Sequence, residues 1–472
     1  MRKIIGGMGI LATVGLLCYP GFGFLVEKGL RQQIAAAPKQ YGMSIELKDF
    51  KRRWFSSDAK LYWKWFIPAH LTQNESGQTI TVSPQHYEKE FNIKIFHGPL
   101  IIHDHKPFLG LGFAETTLNW PILDGGPKKE DFDDKSIFPI IKLSMAFDFL
   151  LQNHWLTSIP AFDLIGKNNQ DEIKWKGLEL SNQVNSNLSH LNGSVDFSGI
   201  TLNKQGITFD VADFDTSYGL NQGPTGVYTG HVDVNLKDMS SKGIPAQAWH
   251  LHHLMVHANS NVEQDLFSTH ALASLDSLDV NEERQGPFAL DMTISKVNAV
   301  TLAKLHQALQ QQQNASPNFR NKGLISLISS LPELLKHGLA IDIKQLDLQL
   351  NKGKMALDMN LSLPAALDAT AMWSLQQLQA LEGQINLKMS QSLLKHWVNK
   401  ALKSQLQSSS LALDPAQNIE SIALKRSDDK IALLTSQGVL KLDSTDYLMH
   451  IKLHQGQWTV NDLEFDPTWL MF

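Results

Sequence analysis

The chain has 472 residues, 43% hydrophobic and 19% charged, with a formal net charge of −5. That composition supports a large packed core and excludes wholesale disorder, and the lack of a basic excess argues against a nucleic-acid partner. Its one cysteine, Cys18, rules out an intrachain disulfide and any thiolate zinc site.

No side chain from Ile4 to Val26 is charged, and Arg2 and Lys3 precede the run. At about 1.5 Å per residue, a helix of that length spans a hydrocarbon core of roughly 30 Å. The run is longer than the apolar part of a cleaved signal, and no small-residue cleavage pattern closes it. Residues 1–26 are therefore expected to be a membrane anchor. Leu17 before Cys18 speaks against a lipidated cysteine. Lys28, Arg31 and Lys39 follow the run, so charge counting leaves its orientation open. Residues 27–40 read as a short juxtamembrane helix ended near Pro38.

Further along, apolar residues alternate with polar ones, the signature of strands with one buried face. Ile141, Leu143, Met145, Phe147 and Phe149 form one such set. Tyr228, Val232, Val234 and Leu236 form another, and Met355, Leu357, Met359, Leu361 and Leu363 a third. Later come Ile385-Leu387-Met389 and Tyr447-Met449-Ile451-Leu453. Between Ile343 and Leu346 the apolar parity switches, which predicts a bulge near Lys344–Gln345. Hairpin turns are expected at Asn192-Gly193, Asn351-Lys352-Gly353 and Gln455-Gly456. Helices are expected over Asn298–Gln313, Leu324–Leu335 and Ser390–Leu406, with a short one opening at Asp414-Pro415.

The expected class is mainly β, a β-rich α+β chain. A transmembrane helix leads into a large, curved antiparallel sheet or sandwich, with a few helices in the C-terminal third. Residues 41–297 are expected to be strands and loops, and residues 298–472 to mix helix and strand on the same sheet system. Near the start, Phe50, Trp54, Phe55, Tyr62, Trp63, Trp65 and Phe66 belong either to a membrane boundary or to a sheet core. Trp63 and Trp65 share one strand face.

Chemistry-bearing patterns are sparse. His250 and His252 share a strand face, but two imidazoles make a metal site only where a further ligand closes the geometry. His253 and His257 lie on the other parity, and no Glu follows at metalloprotease spacing. His103 and His105 would likewise need a third ligand such as His97. There is no Gly-x-Ser-x-Gly, no P-loop and no dinucleotide-binding glycine motif. Asp131, Asp133 and Asp134 lack the glycine and closing glutamate of a calcium loop. No catalytic, cofactor-binding or metal-binding residues are assigned, and the chain is expected to be non-enzymatic.

Phe50-Lys51-Arg52-Arg53-Trp54-Phe55-Ser56-Ser57 follows shortly after the apolar segment, and Ile95-Phe96-His97-Gly98-Pro99-Leu100 comes later. With the C-terminal stretch Tyr447–Asn461, these segments resemble the YdgA/YihF-like family of bacterial envelope proteins, a domain of unknown function. Arg53 stands where that family has glycine. The motif residues carried over are Arg52, Trp54, Phe55, Ser56, Ser57, His97, Gly98 and Pro99. The resemblance implies a single-pass inner-membrane anchor with the bulk of the chain in the periplasm, and it brings no known catalytic residues. Two functions are compatible with it. One is a protein that binds or shields membrane lipid along an apolar sheet face. The other is a scaffold acting through self-association as a homodimer or through an envelope protein partner.

Overall fold

The computed structural model describes residues 21–32, 34–35, 43–67, 70–73, 79–103, 106–120, 128–150, 152–167, 171–185, 187–204, 206–243, 248–313, 330–331, 333–365, 380–408 and 419–464. The chain is mainly β and antiparallel, with few helices. It divides into two compact units, one of residues 1–232 with 303–328, the other of 233–302 with 329–472.

In the first unit, residues 21–32 and 34–35 are helical (α1). The strands are β1 (Met43–Arg52), β2 (Ser56–Ile67), β3 (His70–Gln73), β4 (Thr79–Val82), β5 (Gln85–His97), β6 (Leu100–His103), β7 (Lys106–Leu109), β8 (Gly112–Asn119), β9 (Ile140–Phe147), β10 (Gln152–Ile159), β11 (Phe162–Ile165), β12 (Asp171–Asn185), β13 (His190–Lys204) and β14 (Ile207–Gln222). Pairing runs β1-β2-β5-β8-β9-β10-β12-β13-β14, with every ladder antiparallel. Such a sheet can keep one face dry and the other wet. On β2 the alternation sends Ala59, Leu61 and Trp63 to one side and Asp58, Lys60 and Tyr62 to the other.

Helix α1 lies on the dry side. Val26 and Leu30, one helical turn apart, are buried with Leu47, Ala59, Ile93, Ile95, Leu111, Ala114, Met145 and Phe147. The expected boundary at residue 26 therefore falls inside a helix docked on the sheet. Residues 1–20, which carry most of the expected anchor, and residues 36–40 of the juxtamembrane segment lie outside the described residues. Among the described residues no helix is long and apolar enough to cross a membrane.

Beyond β10 the dry side continues as apolar rows. Register partners across β12, β13 and β14 stack into apolar rows: Leu178, Phe197 and Phe214; Trp175, Ile200 and Val211; Ile173, Leu202 and Phe209. Between the first two rows all three strands depart from regular geometry together. Gly177 and Gly199 take φ +134° and +126°, and Asp213 takes φ 43°. At Gly199 a Cβ would sit 2.4 Å from the Val211 carbonyl oxygen, so only glycine fits there. The shared irregularity shifts all three strands by one residue, which keeps their apolar residues in common rows.

Asn192-Gly193 is not a turn. It lies within β13, and Gly193 pairs with Asn182 and Tyr218. A side chain there would collide with the Tyr218 hydroxyl, which donates to Asn182 Oδ1. The glycine serves a cross-strand contact, which a local turn rule cannot see.

The second unit contains β16 (Trp249–Glu263), β17 (Leu266–Val280), β18 (Glu283–Gln285), β19 (Phe288–Asn298), β20 (Leu339–Leu350), β21 (Gly353–Leu363), β22 (Glu382–Ser390), β23 (Lys441–Asp443), β24 (Asp446–His454), β25 (Gln457–Val460) and β26 (Leu463–Glu464). β15 (Tyr228–Lys242) crosses the division in sequence, as does α2 (Ala299–Gln313). Asn298 caps α2, its Oδ1 accepting from the Thr301 amide at 2.8 Å. Helices α3 (Gln391–Ser408) and α4 (Ile419–Ser436) follow. The expected helix start at Asp414-Pro415 lies outside the described residues, as does most of Leu324–Leu335.

Pairing runs β16-β17-β19-β20-β21-β22-β24. Register places Val256, Ala273, Leu290, Leu346, Leu357, Leu387 and Met449 in one row across seven strands. The expected bulge is present: Asp291 pairs Gln345 and Met292 pairs Ile343, leaving Lys344 over. The turns at Asn351–Gly353 and Gln455-Gly456 join β20 to β21 and β24 to β25, as expected. α3 and α4 pack on each other, with Val398, Leu402, Ala423 and Ile431 buried and Tyr447 of β24 against them. Val439, Ile451, Leu453 and Val460 form a further core nearby.

Candidate functional site

Two features of the first unit meet on the dry side of the sheet. The first is built from the sequence motif. β2 and β5 pair with Ser56 opposite Phe96 and Ser57 opposite Ile95. The His97 amide donates to the Phe55 carbonyl at 3.1 Å, which ties the two motif segments together. Ser57 Oγ lies 3.1 Å from His97 Nε2, and the two side chains are 0% and 1% exposed. Gly23 of α1 lies against the imidazole: a Cβ there would be 2.9 Å from Nε2. Gly98 follows at φ 133°, its amide donating to the Leu111 carbonyl.

A serine beside a histidine is half of a nucleophilic constellation. Here both groups are buried, with α1 against the imidazole at Gly23. The pair is a buried cross-strand contact between β2 and β5, with Gly23 of α1 packed over it. Ser57→Ala is expected to cost about 1–2 kcal/mol, the usual penalty for removing one partner of a buried hydrogen bond. A lowered denaturant midpoint at unchanged slope would report it.

The second feature lies further along α1. Leu30 also belongs to this feature, one turn before Ile34. A cavity of about 350 Å³ opens between Leu30 and Ile34 above and Leu61, Trp63, Phe91, Leu118, Leu143 and Trp155 on the sheet. Its polar lining is confined to Glu115, Thr116 and Ser144. Trp63 thus lines the cavity with Phe91, their rings 6.1 Å apart. Tyr62 faces the opposite side, under the Lys48 ammonium at 4.4 Å.

That opposite side is wet and charged. Lys60 and Glu90 meet at 2.5 Å; their hydrogen bond raises the Lys60 pKa and lowers that of Glu90, so both stay ionised. Glu46 and Lys48 pair in the same way. Contrast between the faces is therefore sharp: fixed charges outside, hydrocarbon inside.

A family model described as a bacterial protein of unknown function, DUF945, matches residues 1–468. The chain belongs to this family. No curated protein matches it, and no solved structure does.

The remaining sequence candidates fall elsewhere in this DUF945 chain. Trp54 and Phe55 are 48% and 51% exposed in the turn before β2. Arg52 reaches Glu27 of α1 at 3.5 Å and lies over the Phe24 ring at 5.7 Å. Pro99 leads into the β6–β7 hairpin, its carbonyl accepting from the Gly110 amide. His97 and His103 do not converge: His97 goes to Ser57, while His103 Nε2 pairs with Glu115 at 2.9 Å. His105 lies outside the described residues. His253 and His257 each face one aspartate, Asp276 at 3.1 Å and Asp233 at 2.5 Å.

The motif end of the sheet also carries an exposed apolar rim. Phe24, Trp54 and Phe55 belong to it, with Leu100 and Leu109 of the β6–β7 hairpin and Leu150 in the β9–β10 turn. Each flanks Ser57, His97, Gly112 or Phe147, where β2, β5, β8 and β9 begin or end. Sequence reading missed this rim, because its members are scattered from residue 24 to residue 150. It also missed the cavity, which needs the register of six strands, β1, β2, β5, β8, β9 and β10.

Proposed function

We propose that this chain is a non-enzymatic, inner-membrane-anchored periplasmic protein of the YdgA/YihF-like kind. It shields lipid acyl chains along the apolar side of its sheet. The supporting observation is hydrocarbon that the described residues do not bury. Between residues 165 and 298 no apolar side chain among the described residues is buried, although the strands carry apolar rows throughout. A soluble protein rarely exposes an apolar surface of that extent unless something covers it. Acyl chains suit it: they need no hydrogen bonds, and burial against them is worth about 25 cal/mol per Å².

The rim supports the anchored reading. Gly23 and Val26 of α1 pack beside that rim, and they belong to the uncharged run that begins at Ile4 in the sequence. Exposed Phe24, Trp54 and Phe55 suit a bilayer interface, where amphipathic and aromatic rings are favoured.

The test is extraction of the full-length chain, purified in a mild detergent, followed by mass spectrometry of bound phospholipid. At least one phospholipid per chain, retained through exhaustive washing, is the expected result. Lipid-free protein that forms specific protein cross-links in intact cells would instead support the scaffold reading.

A further inference from the structure

We propose that Asp238, His250 and His252 form a binding site for a divalent transition-metal ion in the second unit. Elsewhere along β16 and β17, His253, His257 and His270 lie against Asp276, Asp233 and Asp291. Here two imidazoles converge on one carboxylate oxygen. His250 Nε2 lies 3.1 Å and His252 Nδ1 2.9 Å from Asp238 Oδ1, and the three atoms lie within 4.8 Å of one another. Among the described residues no other group of three such side chains meets this condition. The two imidazole centroids are 3.6 Å apart.

The spacing suits a metal. Nitrogen and oxygen ligands at about 2.0–2.1 Å from a tetrahedral ion lie roughly 3.3 Å from each other. The two imidazole–carboxylate separations, 3.1 and 2.9 Å, lie within a few tenths of an ångström of that value. Two imidazoles and one carboxylate form a donor set that favours zinc, nickel, copper or iron over magnesium and calcium.

The surroundings carry a second, independent mark of such a site. His252 uses its other ring nitrogen, Nε2, against Asp279 Oδ2 at 3.2 Å. A carboxylate behind a ligating histidine fixes the ring and raises its basicity, and such an arrangement recurs around protein-bound metals. Among the described residues Asp279 Oδ1 is buried without a hydrogen-bond partner, and so is Ser277 Oγ, directly opposite His252 in the register. The three ligands are about one-third exposed, so an ion and a fourth ligand from solvent can reach them. Three adjacent strands are involved: β15 supplies Asp238, β16 the imidazoles and β17 the supporting Asp279. The ion would therefore fasten β15 to β16 with β17 behind.

Zinc is the probe. Full-length chain without a histidine tag, stripped with chelator, is expected to take up one zinc ion per chain in calorimetric titration. Cobalt in its place should give the intense visible bands of a four-coordinate site. Asp238→Asn and His252→Gln should each weaken zinc binding at least tenfold. Asp279→Asn should weaken it by about 10- to 100-fold, as is typical of outer-shell partners. His257→Gln, on the same strand with its own aspartate, should leave it unchanged. The proposal is overturned if stripped wild-type chain takes up no stoichiometric zinc. It is equally overturned if binding survives the His250→Gln/His252→Gln double substitution within twofold, or if cobalt shows only weak octahedral bands.

Discussion

Val26→Asp is expected to unfold the first unit, while Leu25→Asp, one residue away, leaves it standing. Val26 is 1% exposed and Leu25 43%. Val26 packs against Gly112, where an added Cβ would come within 2.5 Å of its Cγ2. A carboxylate there would be enclosed by Leu47, Ile93, Ile95, Ala114 and Met145, with none of them a hydrogen-bond donor through its side chain. Burying an unpaired charge costs several kcal/mol even after relaxation. A loss of about 4 kcal/mol or more would consume a large part of the stability of an ordinary domain. Denaturant unfolding followed by tryptophan fluorescence reads it, because Trp63 and Trp155 line the same side of the sheet. Leu25→Asp is the control, since both substitutions put one charge into the same apolar run. Equal effects at 25 and 26 would mean that the run acts only as hydrocarbon and that α1 does not dock.

This contrast shows where sequence reading reached its limit. Residues 4–26 are uncharged and mostly apolar, so no periodicity distinguishes a buried stripe from a lipid-facing one. The docking face of α1 emerges only once Val26 and Leu30 meet side chains from β1, β5, β8 and β9. Strands were far more legible, since one buried and one wet face imprint a period of two directly on the residues. The Lys344 bulge was legible for the same reason: the parity switch between Ile343 and Leu346 has no other economical explanation. Asn192-Gly193 misled because a two-residue turn signal is local, while that glycine makes room for Tyr218 from the next strand. Motif residues could be listed but not connected. Ser57 and His97 are forty residues apart, and their contact depends on the β2–β5 register. Asp238 is likewise invisible from the His250-Leu251-His252 tract, because it arrives from a different strand.

Leu290→Glu is expected to strip bound phospholipid from the chain at least tenfold while leaving the fold intact. Leu290 stands in the seven-strand row, directly opposite Leu346 on one side and Ala273 on the other. α3 and α4 bury the far end of that sheet around Tyr447, but Leu290 is only half-buried. A glutamate there can keep its carboxylate hydrated when no lipid is present, so the full cost of charge burial falls only on the lipid-bound state. A tenfold loss corresponds to about 1.4 kcal/mol, which is modest beside the several kcal/mol that a desolvated carboxylate demands. Met255→Glu provides the comparison: Met255 is 44% exposed, between Leu254 and Val256 on the opposite side of β16. It should retain its lipid. Far-UV circular dichroism separates the outcomes. An unfolded Leu290→Glu chain would mean the row is a closed core, whereas a folded chain with its full lipid complement would place the acyl chains away from this face. Only a folded, lipid-depleted variant beside a lipid-replete Met255→Glu fits a sheet whose missing cover is the membrane's own hydrocarbon.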